Sequence, residues 1–533
     1  VSSWGQNRRH VLLLAAVCGF LFFYGLGVFG LIGADEPRYA QVAREMLDRG
    51  DWITPTLGGS AWLEKPVLYY WEAIVAYKLF GVSDWAARLP SAVSATLLVI
   101  AIFFFLRRFR PGSEIDGAVM TASSATMIGF SRAAAMDMLL AANFSIAMLC
   151  WYAWHEGRQR RWLLGCYVFL GLATLAKGPV AFGLAGLILV SYALVQGDWK
   201  VRTLSWPGFL VYCAVVLPWF IAVQARNPEF FRVFILEHNF ARFGSNLYRH
   251  HQPFWYYLPV TLLGLLPWVA LVVAAAIETI RGWAADPRAI FESEDAWDVF
   301  LLLWFAIPIL FFSISQSKLP GYILPAIPAA TLLAASYTRR RASIDKRLSP
   351  AVALPHSVLA ASPIVPAVLI QYVLKLHHLP WGVVTIVVIV VACIFAALLF
   401  LALRSRAGLR LVHVVTILPL VLATSAVLRF GGGAIDASAS TRPLAASLAE
   451  ASTTLPVAVL RVPRQIEYGL HFYRDHPVSR YERGEIPREA HLLVASDAAR
   501  PEVLRILGPR QAYYLGNDPD LHVDKFRVDP AAN

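Results

Sequence analysis

Apolar residues in this chain come in blocks of roughly 20, the length that crosses a bilayer as a helix. Blocks near 11–32, 85–106, 116–131, 136–154, 162–176, 179–196, 204–224, 255–280, 297–314, 320–338, 351–374, 381–403 and 411–430 give thirteen candidate spans. The segments around 116–154 and 162–196 read as tight helical hairpins. The pattern stops near residue 430; beyond it come short apolar runs, many charges and frequent proline. Strand-like runs (Val457–Val462, Leu492–Ser496) alternate there with helix-like ones (Gln465–Tyr473, Pro501–Leu507), which predicts a small α/β domain. The expected fold is therefore mostly α: a polytopic membrane domain over 1–430 and a soluble α/β domain over 431–533.

The polar gaps between blocks give an orientation. With the N-terminus in the cytoplasm, the cytoplasmic loops hold Arg107, Arg108, Arg110, Arg158, Arg160, Arg161, Lys200, Arg202, Arg281, Arg288, Arg339, Arg340, Arg341, Lys346, Arg347, Arg404, Arg406 and Arg410. Arg8 and Arg9 add to that side, while the tight turns opposite carry only Arg132, Lys177, Lys318 and Lys375. This asymmetry is the positive-inside pattern. It puts loops 33–84 and 225–254, and the tail from Gly431, on the outer side.

Two outer loops have their own periodicity. Asp35 to Arg49 reads as an amphipathic helix, with Ala40, Ala43, Met46 and Leu47 on one face, suited to the membrane interface. Asp51 to Gly59 reads as extended, Pro66 to Phe80 as a second interfacial helix, and Glu229–Phe243 as a short helix. The run Val11–Ile32 is long for a signal-peptide core and lacks a small-x-small cleavage site, so it reads as a retained span.

Composition agrees. Of 533 residues, 58% are apolar and 15% charged, against about 25% charged in soluble chains. The net charge of +12 is accounted for by the basic loops, and no basic stripe interleaved with aromatics suggests nucleic acid. Cys18, Cys150, Cys166, Cys213 and Cys393 all lie inside apolar blocks, without CxxC or Cys/His spacing. They read as small buried side chains, neither a zinc module nor a disulfide framework.

Ionisable groups beside a bilayer are costly, so their positions inform. The outer side collects Asp35-Glu36-Pro37-Arg38, Glu64-Lys65-Pro66, Arg132, Asp137, Lys177-Gly178-Pro179, Glu237-His238, Arg242, Arg249-His250-His251 and Lys318-Leu319-Pro320-Gly321-Tyr322. Each has a plainer reading. Asp35 caps a helix; Glu64 and Lys65 form a solvated pair; Arg132 and Asp137 pair at the interface; His250 and His251 only hydrogen-bond. Lys375, His377 and His378 read as loop residues. Trp and Tyr at span ends read as a headgroup belt, with Tyr69 set apart as a sugar platform.

The runs GADEPRYAQVAREML, GDWITPTLGG and WLEKPVLYYW resemble the first outer loop of the GT-C superfamily. The likeness is to the protein O-mannosyltransferase-like branch and to the bacterial lipid A aminoarabinose transferases. LATLAKGP, HHQPFWYYLP and SKLPGYILPAIPA look like the same family, in the same order, through about residue 340. Val67 departs from the pattern, which often has a second proline there; Pro66 still sets the turn.

The resemblance implies inverting transfer of 4-amino-4-deoxy-L-arabinose from undecaprenyl phosphate to a lipid A phosphate, on the periplasmic face of a bacterial inner membrane. It implies Asp35, Glu36 and Asp137 as catalytic or sugar-facing acids. It implies Arg38, Lys65, Tyr69, Lys177, Arg249, Lys318 and Tyr322 as substrate-binding groups. Glu64 with His250 would be the ligands if a divalent metal (zinc, magnesium or manganese) takes part. Expected partners are the lipid-linked sugar, an anionic acceptor and membrane lipids. These groups are expected to converge at the outer leaflet. The alternatives are a mannosyl- or other glycosyltransferase acting on protein or glycan, a transporter, and a scaffold worked by its tail. The near absence of charge deep in the spans weighs against the transporter.

Overall fold

The computed structural model describes residues 3–197, 205–241, 252–292, 295–343, 347–365, 380–405, 412–508 and 510–531. The described helices are α1 (Ser3–Cys18), α2 (Asp35–Arg49), α3 (Leu68–Phe80), α4 (Asp84–Phe109), α5 (Glu114–Ala122), α6 (Ala125–Ser131), α7 (Met136–Gly157), α8 (Arg160–Lys177), α9 (Val180–Gln196) and α10 (Trp206–Arg226). After them come α11 (Tyr257–Gly264), α12 (Val269–Ala285), α13 (Ala296–Ile314), α14 (Ile327–Ser343), α15 (Pro350–Ala361), α16 (Trp381–Leu403) and α17 (Val412–Ala426). The tail adds α18 (Gly432–Ala439), α19 (Arg442–Ala451), α20 (Arg464–Arg474) and α21 (Arg500–Leu507). The chain forms two compact units. One comprises the chain to Tyr24, Leu63–Tyr69 and Leu89–Val427; the other comprises Gly25–Trp62, Tyr70–Arg88 and everything from Leu428.

The first unit is a helical bundle. Among the described residues, six helical stretches are long and apolar enough to cross a membrane, and a bent pair makes a seventh. Three predicted spans differ in detail. The block 255–280 is two helices meeting at 116°, because Pro267 follows α11 and offers no N–H to continue it. The block 116–131 breaks at Ser123-Ser124, whose hydroxyls bond back to the Val119 and Thr121 carbonyls and compete with the helix. The two breaks meet: Ala125 N–H donates to Leu266 O at 2.9 Å, and Trp268 Nε1 to Ser123 Oγ at 3.0 Å. The first block ends its helical course at Phe23 rather than near Ile32. The chain then turns, and that turn belongs to the second unit.

The second unit is built on a five-stranded sheet of order β4-β3-β5-β7-β6: β3 (Val457–Leu460), β4 (Val478–Arg480), β5 (His491–Ser496), β6 (Ala512–Asp518) and β7 (Val523–Val528). β4, β3 and β5 run parallel, while β7 and β6 are antiparallel. The short apolar runs predicted two of these strands; the others alternate too weakly to read. All four residues of β3 are buried, because helices cover both sheet faces. Leu444, Leu448, Ile466 and Leu470 pack on one face, and Val503 and Leu507 on the other.

This unit also holds most of loop 33–84, all but Leu63–Tyr69. α2 spans Asp35–Arg49 and stops at Gly50, whose φ of 63° is left-handed. Its buried face includes Ala40, Ala43 and Met46, and also Gln41 and Val42. It packs on α20, with Tyr77 of α3 donating to Ala40 O at 3.2 Å. A hairpin of β1 (Thr56–Leu57) and β2 (Ser60–Ala61) follows. Glu45 closes it, accepting from Thr56 Oγ1 (2.8 Å) and from Gly58 N–H (2.7 Å).

Candidate functional site

In the bundle, Asp137 lies in the first turn of α7 and Lys177 is the last residue of α8. Each sits where the helix dipole favours its charge. Their side chains form a largely buried ion pair, so Lys177, not Arg132, is the partner of Asp137. Arg132 instead donates to Leu21 O (3.2 Å) and Tyr24 O (2.8 Å), holding the end of the first span. The Lys177 ammonium also lies 4.9 Å from the Tyr322 ring centroid, a cation–π distance. Gly321 lets this cluster close: a Cβ there would stand 2.4 Å from Asp137 Oδ1 and 2.9 Å from Phe130 Cε1.

The Tyr322 ring packs against Phe312, with centroids 5.0 Å apart and planes tilted by 43°, and Tyr257 donates to Leu319 O at 3.2 Å, so the Lys318–Tyr322 strip is held along its length. Lys318 is buried and donates to Ser315 O at 2.5 Å. It lines a cavity of about 450 Å³ with Phe254, Leu310, Ile314, Ser315 and Gln316. Lys65 and Glu64 are half-buried in the same unit, and Tyr69 is fully buried.

In the second unit, Asp35 is largely exposed and pairs with Arg38 one turn along α2. The Arg38 guanidinium lies 4.8 Å from the Tyr39 ring, 5.1 Å from Trp62 and 5.8 Å from Tyr468. Glu36 points the other way. Arg88, 1% exposed, donates to both its oxygens (3.1 and 2.7 Å), and Ile32 N–H reaches Oε2 at 2.7 Å. The same guanidinium donates to Leu26 O, Phe29 O and Gly30 O at 2.7–2.9 Å. Arg88 thus takes carbonyls of the turn at Leu26, Phe29 and Gly30 and ties them to the start of α2. Arg88 lies near the start of the apolar block 85–106, where a lone arginine at a span end reads as an interfacial anchor.

Arg249 and His250 lie outside the described residues, as do His251, Arg242, Lys375, His377 and His378. Among the described residues, no three His, Cys, Asp or Glu side chains group as a metal site. The five cysteines are free thiols.

Residues 8–234 match the family model described as dolichyl-phosphate-mannose-protein mannosyltransferase. The chain is 34% identical over 346 residues to an undecaprenyl phosphate-alpha-4-amino-4-deoxy-L-arabinose arabinosyl transferase of Pseudomonas aeruginosa, covering 63% of this chain and 61% of that one. It is 32% identical over 313 residues to the same-named protein of Edwardsiella ictaluri, covering 57% and 55%. The matches thus span somewhat over half the length of these curated relatives. Among solved structures it is similar to ArnT from Cupriavidus metallidurans bound to undecaprenyl phosphate, with TM-score 0.76, 26% identity, and 99% and 98% of the two chains covered. It shares the fold of the Archaeoglobus fulgidus oligosaccharyltransferase at TM-score 0.52 and 11% identity, over 95% of this chain and 72% of that one. Family model, relatives and fold agree in direction: residues 8–234 resemble the dolichyl-phosphate-mannose-protein mannosyltransferase family, and the whole chain is similar in fold to ArnT.

Proposed function

We propose that this protein transfers 4-amino-4-deoxy-L-arabinose from undecaprenyl phosphate to a phosphate of lipid A, with inversion at the anomeric carbon. The observation that carries the reading is the likeness to ArnT along 99% of this chain, at 26% identity. In the reaction, an acceptor phosphate oxygen forms a bond to the anomeric carbon as the bond to the carrier phosphate breaks. A phosphate acceptor is anionic near neutral pH and has no proton to lose. The leaving carrier phosphate is a stable anion. Catalysis then rests on positioning and on cations that neutralise two phosphates.

Lys65, Arg249 and Tyr322 are our candidates for the carrier phosphate, supported by Arg38 and Lys318. Lys177 and Asp137 set the Tyr322 ring. Asp35 faces the sugar, whose amino group favours a carboxylate, and Glu36 anchors the loop that carries it. Tyr69 is retained as a sugar platform, and Glu64 with His250 as the pair for a divalent cation. The setting is a bacterial inner membrane crossed thirteen times, with the N-terminus cytoplasmic. Residues 1–430 form the catalytic membrane domain and 431–533 a periplasmic one. A second reading is favoured by the family model's description: a mannosyl unit moved to a protein hydroxyl, with Asp35 as the base such an acceptor needs.

The test is the mass of lipid A from cells with and without this protein. An aminoarabinose increment that depends on it supports the first reading. An unchanged lipid A alongside a newly glycosylated protein supports the second.

A further inference from the structure

The geometry points to α20, in the C-terminal tail, as the template that sets the first outer loop, with Tyr468 and Tyr473 as positioning residues for the transfer. This rests on the function proposed above, since it concerns how Asp35 and Arg38 are held. The tail carries no catalytic motif, yet one face of α20 is committed to α2. Tyr468, His471 and Phe472 follow the i, i+3, i+4 spacing of a single helix face, and Asp475 caps the helix just beyond it. The Tyr468 ring lies 5.8 Å from the Arg38 guanidinium. One turn on, His471 Nε2 stands 3.5 Å from Glu45 Oε1, and Arg44 donates to Phe472 O at 3.0 Å. Arg44 also pairs with Asp475 at 2.5 Å.

Tyr473 works on the entry to the loop. Its hydroxyl accepts Leu31 N–H at 2.7 Å and donates to Asp84 Oδ1 at 2.6 Å. Burial and the Asp84 carboxylate hold this phenol well above its ordinary value, so it remains a donor. Leu31 lies four residues before Asp35, and the turn leaves no room to drift. A Cβ on Gly30 would stand 2.2 Å from Ser440 Oγ and 2.5 Å from the Tyr473 hydroxyl. Small displacements at a reacting centre are expensive; about 1 Å can cost on the order of a hundredfold in rate.

The experiment compares the full-length wild type with Tyr473→Phe, Tyr468→Ala and Tyr468→Phe. Hydrogen exchange is followed over residues 31–40 in detergent. In parallel, kcat and KM are measured with the undecaprenyl-phosphate sugar donor. Tyr473→Phe removes the acceptor of Leu31 N–H and is expected to speed exchange there at least about tenfold. Tyr468→Ala is expected to lower kcat/KM about tenfold, and Tyr468→Phe, which keeps the ring over Arg38, to recover most of it. Unchanged exchange in Tyr473→Phe and Tyr468→Ala overturns the template role, whether or not the wild type transfers this sugar. Faster exchange with wild-type kcat/KM overturns the link to catalysis. Faster exchange in a protein whose wild type transfers nothing sinks the proposed function and leaves the template standing.

Discussion

Replacing Arg88 by methionine strips five hydrogen bonds from the start of the first outer loop. Two go to Glu36 and three to the carbonyls of Leu26, Phe29 and Gly30. The pair is shielded from water, with side chains 1% and 9% exposed, so solvent screening does little to weaken it. Removing one partner of such a pair strands a buried charge and costs about 3–5 kcal/mol. Glu36→Gln is expected to cost a similar amount, because Arg88 then lacks its counter-charge. The double variant Arg88→Met/Glu36→Gln strands no charge, so its cost should fall at least about 2 kcal/mol below the sum of the singles. It does not return to wild type, because three carbonyls still lack their donor. Equilibrium unfolding of the purified protein in detergent, followed by tryptophan fluorescence, measures the cycle; Trp52, Trp62, Trp71 and Trp85 belong to the same unit. An Arg88→Met variant within about 1 kcal/mol of wild type, or singles that add to within about 0.5 kcal/mol, would refute the anchoring role.

Three further outcomes follow from other places in the fold. Gly321→Ala sets a Cβ 2.4 Å from Asp137 Oδ1; overpacking of about 1–3 kcal/mol and a displaced Tyr322 should lower transfer, whereas Gly129→Ala, with nothing within 4 Å, should leave stability unchanged or slightly raised. Comparing activity and melting temperature of the two variants checks this. Lys65→Ala should reduce transfer by on the order of a hundredfold, the scale for losing one charge-stabilising donor; full activity in a radiolabelled-donor assay removes Lys65 from the site. Burial lowers His491 and His471 below the ordinary 6.5. A depressed histidine contributes stability that is full above about pH 6.5 and is lost as pH falls through the lowered value, so the melting temperature should fall as pH drops below about 6.5, and a melting temperature that stays flat there contradicts it.

Much of the architecture was written in the apolar blocks, because a bilayer forces helices of a narrow length range. α4, α7 and α10 fall within a few residues of the blocks that predicted them. α2 begins at Asp35 and ends at Arg49 as its amphipathic run implies. The breaks were harder to read. Ser123-Ser124 and Leu266-Pro267 interrupt apolar runs that look continuous, and they are tolerated because each break supplies hydrogen-bond partners to the other. At the site, the sequence offered Asp137 and Lys177 as separate candidates at two turns. That they are partners depends on how α7 and α8 pack, which no local pattern encodes. Arg88 was missed for the same reason: its role lies in carbonyls some 60 residues away. The tail's hold on α2 spans more than 400 residues of chain and has no signature beyond a helical face rich in tyrosine and histidine.

The proposed transfer moves an amino sugar from a polyprenyl phosphate to an anionic lipid. Reconstituting the purified chain in liposomes with lipid A and undecaprenyl-phosphate-linked 4-amino-4-deoxy-L-arabinose, then reading the lipid A mass, tests it directly. The expected result is lipid A heavier by one aminoarabinose, with free undecaprenyl phosphate released in equal amount and both changes lost in Lys65→Ala. Lipid A of unchanged mass, in liposomes where the same protein glycosylates a different acceptor or consumes only a mannosyl donor, would contradict it.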